Sequence, residues 1–458
     1  MMLTNTRYQT KQRILSRLVF CFAIMHLLCP STTAQLLEPN ENPVENTITV
    51  TTSAENFVYF DNLGTIDNSG NIDNWVSGTI DNWSSGNIYN WASINNEGAL
   101  DNSGYIENWD GTIDNSGNID NSGIFTNVGP IDNSGTIDNS GNFWNFGGVI
   151  YNLDAGTINN SGSFDNMYII DNLGTIDNLG NIGNDGIIDN DGTINNLGEI
   201  YNNANIDNDG TIDNLGTIVN NWGTIDNSAM GTIDNSAMGT IENWSTIGNW
   251  GTIDNLGSIV NVSWGTINNW GTIDNWGTIE NSGTWNNSGT FNNQGTLIGT
   301  GTFIGDLLTD SGTVAPGNSA GTMTVDGDFT LAGSGILDIE IGGFTPGTFD
   351  VLDITGTAFL PGGKINFSFL PGYDIVTDVG PGESWELSFL NAGNIDILFD
   401  PAINYNFASL PYFEFNVFQL DNNLFFQAMN TVPLPGAVLL GSIGLGFAGW
   451  RLRKRKDL

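Results

Sequence analysis

From Phe60 to about Gly305 an apolar residue returns at almost every sixth position: Phe60, Ile66 and Ile72, on through Ile137, Ile182, Ile212 and Ile253, to Phe291, Leu297 and Phe303. The unit repeats thirty-nine times and is best written Gly-Thr-Ile-Asp-Asn-Ser. Where the step is longer, a short insertion such as Val76-Ser77, Ser84-Ser85 or Ala229-Met230 separates two units, and the register then resumes. Side chains alternate across a β-strand, so the apolar anchor and the residue two positions on face one way while the residue between them faces the other. That second inward position is Asn in every unit but the last two, where Gly299 and Gly305 take its place. Gly, Asn, Asp, Thr and Ile are all weak helix formers and no 3.6-residue period runs through the repeat, so each unit predicts a short strand. One such strand buries too little to stand alone. Stacked coils give a continuous column of Ile, each contributing about 2 kcal/mol when fully buried. The pattern therefore predicts an all-β fold, a β-solenoid of about thirty-nine hexapeptide units. With three units per triangular coil, about 13 coils form a rod roughly 60 Å long at the ~4.8 Å spacing of strands. The Gly four residues after the anchor is expected at a corner with positive φ. The Asn has two open readings, an inward ladder of amides bonded coil to coil or a turn residue in the left-handed region.

Outside the hexads the pattern changes. Residues 35–59 are expected to supply strands that cap the first coil, and residues 306–346 to end and cap the solenoid. Over 347–430 short alternating stretches, divided by Pro-Gly and Asn-rich turns, predict a small β-rich, sandwich-like domain.

Charge narrows the possible partners. The chain holds 10 basic and 50 acidic residues. All the acids but Asp457 lie in residues 35–450, where Lys364 is the single base. Ion pairs cannot hold such a body together, and binding to nucleic acid through a basic patch is excluded. Carboxylates stacked ~4.8 Å apart repel by roughly 0.9 kcal/mol per neighbouring pair in water, which bound cations would relieve. Cys21, Cys29 and the sole His26 all fall in residues 1–34. That segment has a basic stretch to Arg17, an apolar run from Leu18 to Leu28 and a cleavage-type Thr32-Thr33-Ala34, the signature of a signal peptide. The mature chain is then expected to lack disulfides, thiolate chemistry and any His-dependent nucleophile.

Residues 431–458 run Thr431, Val432, Pro433, Leu434, Pro435 and Gly436, then an apolar stretch from Ala437 to Trp450 read as a transmembrane helix, then Arg451, Arg453, Lys454, Arg455 and Lys456. This order resembles the PEP-CTERM sorting signal of Gram-negative bacteria, with Pro433-Leu434-Pro435 in place of the usual Pro-Glu-Pro. The resemblance implies an exosortase-type enzyme as partner, transient anchoring in the inner membrane, and association with exopolysaccharide or biofilm. A second resemblance runs from Gly295 to about Phe369 and centres on Gly312 to Val325. It is similar to the end of autotransporter-type passenger solenoids, which implies that this segment continues and closes the stack.

Candidate chemistry is sparse. Asp185, Asp189, Asp191, Asp207, Asp209 and Asp213 form the most acidic stretch, where oxygens from adjacent coils would suit calcium; merely solvated carboxylates are the other reading. Trp75, Trp83, Trp91, Trp244, Trp250, Trp270 and Trp276 share the position three residues after an anchor. They form either a corner ladder packed on itself or a surface for sugar rings or protein. No cluster of unusual residues interrupts the repeat as a hydrolase site would, so catalysis is not expected. The sequence thus points to an exported structural or adhesive protein of the cell surface or extracellular matrix. A glycan-degrading β-helix enzyme and a calcium-dependent self-assembling surface layer are the alternatives.

Overall fold

In the computed structural model, which describes residues 35–36, 41–43, 47–56, 59–396, 401–407 and 410–432, the hexads wind into a three-sided β-solenoid. Each hexad supplies one strand of about four residues whose second and fourth side chains are buried, as in Thr175–Asn178. Every hexad strand except Thr290–Asn293, which ends the second sheet, pairs in parallel with the strand three units on. Thr175, Ile176, Asp177 and Asn178 thus lie against Thr193, Ile194, Asn195 and Asn196. Three hexads make one coil, 18 residues long between Asn172 and Asn190. Inserted corner residues stretch it to 22 between Asn74 and Asn96 without disturbing the pairing. The first face stacks Asn71–Asn74 on Ser93–Asn96 and Thr112–Asn115. The second stacks Thr79–Asn82, Ala99–Asn102 and Asn118–Asn121, and the third Asn87–Asn90, Tyr105–Asn108 and Ile124–Asn127. The second face alone runs for 14 strands, one more coil than the repeat count predicts.

The anchors meet along the axis in one apolar column per face, with Ile from Ile66 to Ile279 exposed by no more than a few per cent. Beside them the Asn residues form the inward ladder. Asn178 Nδ2 donates to Asn196 Oδ1 at 2.8 Å and to the Glu199 carbonyl at 3.0 Å, while its Oδ1 accepts from Asn160 Nδ2 at 2.8 Å. Both amide protons and the amide oxygen are thereby satisfied in a dry interior. The left-handed reading of the Asn fails. Among the described residues only Ser319, Tyr412 and Asp421 are non-glycine residues with positive φ. The ladder stops where Gly299 and Gly305 replace Asn, and both adopt positive φ, +126° and +123°.

The repeat glycines do not have positive φ, contrary to expectation; they are required for space. A Cβ on Gly192 would lie 2.2 Å from the Gly174 carbonyl oxygen one coil below, and the same clash recurs at Gly135 over Gly117. The corners between the first and second faces and between the second and third carry an unbroken column of glycine. The corner from the third to the first admits Ala92, Tyr168, Ala204 and Ser245. Gly192→Ala is accordingly expected to cost about 1–3 kcal/mol through overpacking. Ala204→Ser, matching Ser245 in its own column, should leave the thermal midpoint unchanged; differential scanning calorimetry on both variants checks the contrast.

Two expected boundaries move. Residues 47–56 do not cap the stack but belong to it. Ile48 lies opposite Ile66 and Ala54 opposite Ile72, and Asn42 already donates to Asn62 Oδ1. Nor do residues 347–430 form a separate sandwich. The third face continues in parallel through Thr313–Pro316, Ile336–Ile341, Lys364–Phe369 and Ala402–Tyr405. Val351–Phe359 pairs with both Thr322–Val325 and Phe329–Thr330, so one corner has straightened into a single long strand. The hexad period is lost there, yet inward Leu337, Ile365 and Phe367 extend the apolar column, and pairing needs only that column. Ser384–Asp396 pairs in parallel with that long strand and antiparallel with Asn423–Asn430, which pairs antiparallel with Phe413–Leu420. This hairpin replaces the parallel edge on which a further coil would build. Phe367, Phe389 and Phe426 pack beneath it with ring centroids about 5 Å apart.

The segment resembling a passenger end is pinned by Asp350. Its buried carboxylate accepts from the Gly321 N–H at 3.0 Å and the Glu340 N–H at 2.8 Å. Burial pushes that carboxyl up to about 8, against the pull of the two backbone donors. Asp350→Ala leaves both donors without their acceptor and is expected to cost on the order of 2 kcal/mol, read as a lowered denaturation midpoint. Among the described residues no helix is long and apolar enough to cross a membrane. Residues 1–34, the sorting-type Pro433, Leu434, Pro435, Arg451, Arg453, Lys454, Arg455 and Lys456, and the apolar run between them lie outside the described residues. Val432 is described, its N–H donating to Asn430 Oδ1 at 3.1 Å.

Candidate functional site

Because coils stack in register, each outward position becomes a row parallel to the rod axis. On the second face the row reads Asp61, Asp81, Asp101, Asp120 and Asp138, then Asn159, Asp177 and Asn195, then Asp213, Asp234, Asp254 and Asp274, then Asn292. Where Asn follows an acid in the row it donates to the carboxylate one coil before it. Asn159 Nδ2 donates to Asp138 Oδ1 at 2.5 Å, Asn195 to Asp177 at 2.6 Å and Asn292 to Asp274 at 2.6 Å. In the unbroken runs, partial burial and adjacent carboxylates raise Asp101, Asp120, Asp213 and Asp254 above the ordinary carboxylate range. Asp120 is pushed up to about 6 by burial first and by Asp138 and Asp101 next, and Asp101, Asp213 and Asp254 shift in the same direction from the same causes.

The six acids singled out for calcium do not all come together. Asp189 and Asp207 are stacked neighbours on the first face. Asp191 and Asp209 follow that face at its corner, Asp213 is on the second face, and Asp185 stands at the corner after the third. Asp185 accepts from Asn203 Nδ2 at 2.9 Å, and Asn203 Oδ1 in turn accepts from Asn221 at 3.0 Å, an outer amide ladder. Consecutive hexads sit on different faces, so Asp185 and Asp213 are carried away from the other four. Among the described residues no three acidic side chains converge as metal ligands do.

The same geometry disperses the tryptophans. Trp75, Trp83 and Trp91 follow consecutive hexads and occupy three different corners, so they cannot form one surface. Among the described residues tryptophans stack on one another only when three units apart. Trp91 stacks on Trp109 with ring centroids 5.5 Å apart, and Trp250 on Trp270 at 4.4 Å. Both pairs remain part-exposed, so corner ladder and outward surface coexist. Trp244 is exposed on the corner after the third face, as Trp91 and Trp109 are, and Trp276 on the corner after the second, where Trp83 Nε1 donates to Asp61 Oδ1 at 2.7 Å.

One surface feature was not singled out from the sequence. Along the corner after the second face the outward column reads Trp83, Ser103, Ser122, Ser140, Ser161, Leu179, Leu197 and Leu215. Four consecutive serines leave a groove of ≈ 360 Å³ beside Asp101, Asp120, Asp138 and Asn159, closed at one end by Leu179. Ser is the commonest residue at this hexad position and so reads as background; only its recurrence in every third unit reveals the groove.

No protein-family model and no curated protein matches the chain. Among solved structures the chain is similar to a TibC-catalyzed hyper-glycosylated fragment of TibA, at 12% identity, covering 78% of this chain and 93% of that one with a TM-score of 0.17. At that score the fold rests on the pairing register described above rather than on the likeness.

Proposed function

We propose that the chain is an exported, surface-associated rod with a structural or adhesive role in the extracellular matrix, and that it binds rather than catalyses. The observation that carries this reading is the division of labour across the strand. The inward positions are given over to the Ile and Asn ladders, while the outward positions form a long row of Asp and Asn on the second face and a mixed surface elsewhere, where Tyr89, Trp144, Tyr201 and Val219 interrupt the polar groups of the third face and Trp and Leu are exposed at the corners. Such a scaffold suits contact with an extended partner. The tail resembling a PEP-CTERM signal supports handling by an exosortase, transient inner-membrane anchoring and delivery to the surface of a Gram-negative cell, where exopolysaccharide is the partner at hand.

Protease shaving of intact producing cells tests this. The rod is expected to be accessible from outside, and deletion of residues 431–458 to shift it into the medium or the periplasm. Full protection in the cytoplasm would overturn the reading. A second reading, a calcium-dependent self-assembling layer, draws on the two unbroken carboxylate runs of the second face. Ordered arrays formed by the full-length chain on addition of calcium alone would favour it.

A further inference from the structure

We propose that the third face, with the two corners that flank it, is the surface through which two copies of this chain lie side by side. The proposal goes beyond the reading of the rod as an exported scaffold and does not depend on export.

In cross-section the rod is an amphipathic prism. The second-face row is Asp and Asn throughout, and the first-face row carries Asp114, Asp132, Asp171, Asp189, Asp207 and Asp226. The corner between these two faces adds Glu97, Asp191 and Asp209. The third-face row also has acids, but Tyr89, Trp144, Tyr201, Val219, Val260 and Ile298 stand between them. Its two corners are strongly apolar. The corner after it carries Trp91, Trp109, Val128, Phe146 and Met167 on five successive coils. That column turns polar at Asp185 and Asn203, and at the same levels the corner before the face supplies Leu179, Leu197 and Leu215. Trp222 and Trp264, in inserted residues of the later corner, are 80% and 82% exposed. A contiguous apolar surface of this extent marks an interface.

Charge selects the face, and length selects the partner. Two rods meeting through their first or second faces would set carboxylate rows against each other. The apolar side runs the length of the hexads, from Trp83 to Trp276 at the corner before the third face. Only a partner as long and as straight covers it, and a second copy presents the same strip. That strip is roughly 50 Å long and ~15 Å wide at the spacings of strands and residues, or about 750 Å² per copy. Stable complexes bury about 800 Å² on each partner. A bilayer suits this face less well, because hydrocarbon leaves the carboxylates of Glu107, Asp165 and Glu242 without partners. A second third face offers them the outward amides of Asn87, Asn142 and Asn181.

The test is sedimentation velocity of the full-length chain in EDTA. A dimer is expected at ~0.3 M salt, with its Kd at least tenfold higher at ~0.02 M, where the carboxylates of the two copies are poorly screened. Trp109→Ser/Phe146→Ser/Trp244→Ser places in that column the residue found at Ser69 and Ser282. Leu179→Ser/Leu197→Ser does the same on the other corner, matching Ser140 and Ser161. Each variant is expected to raise the Kd at least tenfold while circular dichroism shows the chain still folded. The control Trp250→Ser/Trp270→Ser, matching Ser228 and Ser288 on the corner between the first and second faces, should dimerise as the parent does. All variants keep residues 431–458, so any association through that apolar run is common to them. A monomer at both salt concentrations overturns the proposal, as does equal loss in the control, which would mean indiscriminate apolar contact. A monomeric parent that floats with phosphatidylcholine vesicles, where the Trp109 variant does not, would assign the face to lipid and overturn it too. The shaving experiment reads export separately, and EDTA separates this contact from calcium-driven arrays.

Discussion

Replacing Asn178 by Asp is expected to destabilise the rod by roughly 4 kcal/mol or more at neutral pH. The carboxylate occupies nearly the same volume but has no protons to give, so Asn196 Oδ1 and the Glu199 carbonyl both lose their donor. Each orphaned buried acceptor costs about 1–3 kcal/mol, and the new group must either hold a charge in a dry interior or take up a proton. Asn178→Ala separates the two contributions, since it orphans the neighbouring amides without adding charge. Coils touch only their neighbours, so the loss is local, and a broken rung is expected to divide one cooperative unfolding transition into two. Denaturant titration followed by circular dichroism measures both effects. A variant within 1 kcal/mol of the parent would mean that the ladder only fills space.

The second large effect is on pH. Asp120, with Asp101, Asp213 and Asp254 beside it in direction, holds its proton more tightly folded than unfolded; Asp120 sits at about 6 against an ordinary 3.8, from burial first and neighbouring carboxylates second. Between those two values the folded chain binds more protons than the unfolded one, so stability rises as pH falls. At pH 7 these groups are charged in both states and their repulsion is fully felt; by about pH 4 the relief is complete. The shift at Asp350 has the same sign and acts over a wider interval, from about 8 down to the ordinary 3.8. The thermal midpoint is therefore expected to climb by several degrees from pH 7.5 to pH 4.5, and the climb to shrink in Asp120→Asn. A midpoint that falls over that interval would show that the carboxylate rows are not under strain.

What could be read from the sequence follows from what periodicity encodes. Strand positions, the inward Ile and the existence of an Asn column were legible because alternation within a strand is local. The inward sense of the Asn amides became clear only when Asn160, Asn178 and Asn196 were seen to share one axis. The repeat glycines show a different limit. Their sequence signal fits a positive φ as well as a close approach, and only the Gly174 carbonyl beneath Gly192 decides between them. Lateral neighbours were the least legible, since they depend on counting in threes through insertions. For that reason Trp75, Trp83 and Trp91 looked like one surface, the calcium candidates looked like one cluster, and the serine groove did not stand out. At the end of the rod the period is lost but the architecture is not, because Ile336–Ile341 and Lys364–Phe369 keep the column without the hexad.

The in-register stacking of 18-residue coils into a rod underlies every site discussed above, and small-angle X-ray scattering of the purified chain tests it most directly. The account predicts a rod-like profile with a long axis of at least roughly 65 Å, from 14 stacked strands at ~4.8 Å, and a narrow cross-section that is unchanged when inserted corner residues such as Ala229-Met230 are deleted. A compact, near-spherical profile, or a long axis that shortens on removing those two residues, would contradict it.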